Sequence, residues 1–231
     1  MRVAILFSGQ PRFRKSLDDL VKNIIGYDQL DWYFYLWNNS YHRLHYEPIP
    51  LVPPPWMNIA SREWAVETIR NKLVWPPNIL AGLDVSEPVY KDPLLSQFGS
   101  LYRADRMRQE CEKLHGKYDL VIRARPDDCI SHVNLTDIKL HLEQETNVIY
   151  TPSKNKHYIH GYGMSDHLAI SSSDNMTIYT NLIHHMNSYM ENGFSPHAEG
   201  LLAYHLSLNN IKLVETLDYE AYPESWDNIW E

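Results

Sequence analysis

No apolar run in this chain approaches the roughly 18–20 residues that a membrane-spanning helix needs, so no membrane span is expected. The opening Met1-Arg2-Val3-Ala4-Ile5-Leu6-Phe7 is too short for a signal-peptide core, and Ser8-Gly9-Gln10-Pro11-Arg12 follows where that core should continue. Cysteine is scarce. Cys111 and Cys129 allow one disulfide at most and form no Cys-x-x-Cys pair, which excludes a disulfide scaffold and the common thiolate metal spacing. Basic charge is also short, with 21 basic against 29 acidic residues and a net charge of −8. That balance argues against a general nucleic-acid binder, although a few local arginines can still hold a compact anion. The chain lacks GxGxxG, GxxxxGK[ST] and, despite twelve histidines, HExxH. It has no internal repeat and no long linker. The sequons at Asn38, Asn134 and Asn175 have no secretory context, so the expected location is a reducing cytoplasm.

What is present is an ordinary globular composition, 44% hydrophobic and 22% charged over 231 residues. Strand-like and helix-like segments alternate. The apolar run over 3–7 reads as a strand buried on both faces. Leu17, Leu20, Val21, Ile24 and Ile25 recur at helical spacing, with Gly26 placed as a stop. A second strand spans 31–37, an irregular loop 41–55, a helix 61–73 and a short strand 85–90. Phe98, Leu101, Ala104, Met107, Cys111 and Leu114 form the stripe of an amphipathic helix over 96–115. Strands are then predicted over 118–125, 148–151, 167–171 and 211–216. Between the last two, Asp174 is placed to cap a helix with core face Met176, Tyr179, Leu182, Ile183, Met186 and Met190, and Pro196 to open a final one. The pattern predicts an α/β fold with a mostly parallel sheet, in one domain over 1–231.

In such sheets ligands bind beyond the carboxyl ends of the strands, and three such ends are polar here. After the first strand, Ser8, Gly9 and Gln10 form a turn in which glycine lets backbone approach a ligand, with Arg12, Arg14 and Lys15 adding charge suited to phosphate. Trp37 ends the second strand, where a sugar or base can stack. In the central strand Arg123 and Arg125 share a face, and Asp127-Asp128 follows directly. Hard divalent cations take one or two carboxylates and complete their shell with substrate phosphates. One strand end thus offers the cations and the anions that a metal–diphosphate site requires. An internal salt-bridge network at a turn is the plainer alternative. His157 and His160 read most simply as surface residues.

Three segments carry a resemblance. Val3 to Arg12, Tyr118 to Asp127, and Gly163-Met164-Ser165-Asp166-His167-Leu168-Ala169-Ile170-Ser171 resemble, in that order, segments of short GT-A-type glycosyltransferases of bacterial surface-polysaccharide loci and large viruses. The resemblance implies a GT-A-like (Rossmann-like) three-layer sandwich, with 1–130 holding the nucleotide-sugar and 131–231 facing the acceptor. It also implies transfer of a sugar from a UDP-, GDP- or dTDP-sugar to a glycan or other hydroxyl, assisted by Mn²⁺ or Mg²⁺. Asp127 takes the metal–diphosphate role with Asp128 as helper or substitute. The departure from Asp-x-Asp leaves open which one binds metal and whether metal is required. For an inverting reaction, Asp166 is the first candidate proton acceptor and Glu199 the second, with His197 beside it as base or metal ligand. Two other classes stay open: a sugar nucleotidyltransferase, whose glycine-rich lysine-bearing signature is missing, and a non-catalytic carbohydrate-binding protein on a degenerate GT-A fold. The oligomeric state, the donor base and the acceptor are not written in the sequence.

Overall fold

The first strand, β1 (Arg2–Gly9), is apolar on both sides because it lies in the middle of a sheet. The structure, a computed structural model, describes residues 1–9, 22–37, 81–86, 93–125, 129–154, 158–217 and 219–220. The loop expected over 41–55 and the helix expected over 61–73 lie outside them. The remaining strands are β2 (Ile24–Ile25), β3 (Gln29–Trp37), β4 (Ala81–Ser86), β5 (Leu120–Ala124), β6 (Cys129–Ile130), β7 (Val133–Asn134), β8 (Val148–Pro152), β9 (Leu168–Ser171), β10 (Lys212–Leu217) and β11 (Tyr219–Glu220). The helices are α1 (Pro93–His115), α2 (Leu135–Gln144), α3 (Ser173–Thr180), a 3₁₀ turn at Asn181–His184, α4 (Met186–Glu191) and α5 (Ala198–Leu208).

Seven strands form one sheet in the order β10-β8-β9-β5-β1-β3-β4. Six run in one direction, and β9 runs against both its neighbours, β5 and β8. The mostly parallel α/β sheet is therefore as expected, with one reversed strand that an apolar run does not reveal. Side chains alternate across the sheet. Val3, Ile5 and Phe7 face α2, where Phe7 stacks on Phe34 at 5.3 Å and Leu135, Ile138 and Leu142 close the layer. Ala4, Leu6, Val121 and Ala169 face α1, α3, α4 and α5. Strands from both the 1–130 and 131–231 segments enter the same sheet.

Several local expectations change. Ile24 and Ile25 are not the end of a helix: they pair in parallel with Val133 and Asn134, so tertiary pairing overrides their helical spacing. Gly26 still marks a turn, at φ +88°, where a Cβ would fall 2.6 Å from Thr136 Oγ1. The strand expected over 85–90 begins earlier, at Ala81. The single helix expected from Asp174 is three pieces, and its cap is Ser172, whose hydroxyl accepts from the Asn175 amide. Its core face holds nonetheless, since Met176, Tyr179, Leu182 and Met186 are fully buried. Helix α2, capped by the Asn134 side chain, was not anticipated. No helix among the described residues is long and apolar enough to cross a membrane.

Two buried polar networks brace the layers. At the amino edge of the sheet Asp31, fully buried, accepts from Arg2 Nη2 at 3.1 Å, Tyr118 OH at 2.6 Å and Gln29 Nε2 at 2.7 Å. Burial and then the bond to Asp31 push the Tyr118 hydroxyl far up, so it keeps the proton it donates. Between α1 and α3, Arg108 is wholly enclosed. Its Nε reaches Asp105 at 2.6 Å, Nη1 reaches Glu112 at 2.8 Å and Ser173 at 2.6 Å, and Nη2 reaches Thr177 at 2.8 Å. Removing one partner of such a network strands the others in a dry interior. Arg108→Ala is therefore expected to lower unfolding free energy by about 3–5 kcal/mol in urea titration. Lys117→Ala, which breaks the exposed pair with Asp174, should leave the midpoint where it was.

Candidate functional site

The chain leaves β1 toward β3 and β4, and α1 then carries it back across the sheet to β5 on the other side of β1. The strand order thus reverses between β1 and β5, and the crevice beyond their carboxyl ends is where such sheets hold ligands. Gly9 closes β1 there with φ +93°, a conformation that side chains disfavour. Ser8 pairs across the sheet with Tyr35, and Phe7 with Ala124 at the end of β5. The backbone of Trp37 ends β3 at the same edge.

The central strand is apolar except at Arg123, whose alternation turns it toward α1 and α3. Arg123 is 3% exposed, and its Nε and Nη1 have no hydrogen-bond partner. Buried donors are satisfied in the great majority of cases, so this guanidinium stands out. Arg125 continues the ladder past the strand, its amide donating to the His167 carbonyl at 3.1 Å, and its Nη1 lies 3.4 Å from His167 Nε2.

Because β9 is reversed, the residues before it arrive at this same edge. Asp166 is buried and accepts a short hydrogen bond from Gln97, in the first turns of α1. Burial favours its neutral form, but Arg123, Arg125, His167 and the Gln97 bond outweigh it and hold the carboxyl below its usual range. Glu199 enters from the first turn of α5. His197 Nδ1 caps that helix by accepting from the Gly200 amide at 3.3 Å, and lies 3.3 Å from Glu199 Oε2. Tyr179 comes from α3. Its hydroxyl lies in the fields of Arg123, Asp166 and Glu199, and burial pushes it well above the usual tyrosine range.

The structure therefore brings Arg123, Arg125, Asp166 and Glu199 to one sheet edge, with Ser8 and Gly9 at the neighbouring strand end. Gln10, Arg12, Arg14, Asp127 and Asp128 lie outside the described residues. Among the described residues no three His, Cys, Asp or Glu side chains gather as a metal cluster. Gln97 and Tyr179 were not singled out from the sequence as site residues. Gln97 was readable as a polar residue opening a helix at the ligand edge, whereas Tyr179 falls on an apolar stripe and looks like core. No known family model matches the chain, and no curated protein matches it. The functional reading rests on the site itself.

A carboxyl with a lowered folded value stabilises the fold above its unfolded value, near 3.8, and that contribution drains away as pH falls through the folded value. Wild-type urea midpoints should thus hold from neutral pH to about pH 4 and fall below it. Asp166→Asn should start lower at neutral pH, where it strands two guanidiniums, and show a shallower acid limb.

Proposed function

We propose that this chain is a glycosyltransferase of GT-A type that moves a sugar from a nucleoside-diphosphate sugar to a hydroxyl acceptor. The observation that carries the reading is the pair Arg123 and Arg125 beside ionised Asp166, at the point where the strand order of a mostly parallel sheet reverses. A positive-φ glycine at the adjoining strand end supports it, since it lets backbone amides approach a phosphate.

In this reading the guanidiniums hold the diphosphate and neutralise charge as it departs. Asp166 keeps them in place. Its lowered proton affinity counts against it as proton acceptor, because a base works best with a pKa near the operating pH. Glu199, partly open to solvent with 17% side-chain exposure and flanked by His197, is the better candidate to receive the acceptor proton. A divalent cation belongs to the proposal through Asp127 or Asp128 and would supply further charge neutralisation.

Calorimetric titration of UDP, GDP, dTDP and CDP, each with and without Mn²⁺, tests this. One nucleotide should bind to the wild type, weaken by at least about tenfold in Arg125→Ala, the worth of one charge-assisted contact, and lose its metal dependence in Asp127→Ala. Failure of all four nucleotides to bind under either condition overturns the reading.

A further inference from the structure

The fold treats two enclosed arginines differently. Arg108 gives each of its three nitrogens to protein acceptors on Asp105, Glu112, Ser173 and Thr177. Arg123, which is 3% exposed, has Nε and Nη1 without a hydrogen-bond partner. A carboxylate is not lacking. Asp166 is buried, which favours its neutral form, and Arg123 is the largest of the influences that outweigh burial and keep it ionised. Yet Asp166 gives Oδ2 to the side-chain amide of Gln97, while its Oδ1 lies 3.9 Å from His167 Nε2.

Of the two bonds open to Asp166, this is the weaker. A guanidinium brings a full charge to a carboxylate and can engage both its oxygens at once, whereas an amide brings only a dipole. What withholds the stronger bond is position. Gln97 stands on α1, which the Arg108 clamp locks to α3. The chain beside Asp166 is fixed to the end of β5, where the Arg125 amide donates to the His167 carbonyl at 3.1 Å. Both ends of the Gln97–Asp166 bond are therefore held by the frame. The consequence is electrostatic. Two guanidiniums, Arg123 and Arg125, act on this one carboxylate. A direct pair would occupy the donors of Arg123 and cancel its charge, whereas the present arrangement leaves both for an anion from outside.

We propose that Gln97 is a positioning residue: it holds the Asp166 carboxylate off the Arg123 guanidinium, which keeps that guanidinium available, beside Arg125, to the departing diphosphate. The inference rests on the glycosyltransferase reading and names the residue that prepares its anion site. It also carries a sign. Restraining Asp166 leaves the free protein less stable than it would be with the pair made, so loss of Gln97 should strengthen the fold and weaken the site together.

Gln97→Met keeps the length and the helix propensity of the side chain and removes its donor. With Asp166 released onto Arg123, the thermal midpoint should rise by about 2–4 °C, the shift that one net hydrogen bond gives a chain of this size. Calorimetric affinity for whichever of UDP, GDP, dTDP and CDP binds, with and without Mn²⁺, should fall by at least about tenfold. A merely structural role would lower both quantities. In an Asp166→Asn background the same substitution should change affinity by less than about twofold, because the group it restrains can no longer form an ion pair. A midpoint that falls, an affinity that holds, or an equal loss of affinity in the Asp166→Asn background would each overturn the role of Gln97 and leave the transferase reading standing. Failure of all four nucleotides to bind the wild type overturns that reading and this inference with it.

Discussion

The guanidinium of Arg108 holds the two halves of the helical layer in register. It sits on α1, the crossover that returns the chain from the sheet edge to β5, and it grips Ser173 and Thr177 on α3, which follows the reversed strand. Asp105 and Glu112 neutralise it from the same helix, and Thr180 adds a bond to Asp105 at 2.8 Å. Every arm is used, which is the condition under which a buried charge is tolerated. The site depends on this clamp indirectly. α1 brings Gln97 to Asp166, and α3 brings Tyr179 into the field of Arg123, so their separation follows from how those helices are locked together.

The site follows the opposite rule. Arg108 is saturated by protein, while Arg123, equally enclosed, is left with open donors. The strand that carries Arg123 is otherwise apolar, and its field is balanced by Asp166 without a direct bond that would occupy Nε or Nη1. An enclosed guanidinium with open donors costs stability that the saturated Arg108 does not.

The elements most legible in the sequence were those with one unambiguous period. The stripe from Phe98 to Leu114 announced α1, and the apolar runs at 3–7 and 118–125 announced β1 and β5. Direction is not encoded in such a run, so the reversal of β9 could not be read. Ile24 and Ile25 fell on a helical spacing, yet partners more than a hundred residues away drew them into a strand. α2 carries its own signal in the sequence: Asn134 as cap, Asp137 in the first turn, and Leu135, Ile138 and Leu142 on one face. Arg123, Arg125 and Asp166 stood out because charge at the end of an apolar strand is conspicuous. Tyr179 did not, since a hydroxyl without a partner is visible only once burial is known.

The reversed strand also governs the order in which the fold can close. β5 is bonded on one side to β1, and its other side is covered only by β9. During synthesis the parallel half, from β1 through β5, is complete some forty residues before residues 168–171 emerge. Through that interval the edge of β5 has no strand beside it, and its open backbone groups are a template for pairing with another chain. β8 emerges first but cannot fill the gap, because its place is beyond β9. Sheet closure must therefore wait for the segment that carries Asp166, which makes the same short stretch of chain both the last piece of the sheet's centre and the first carboxylate of the site.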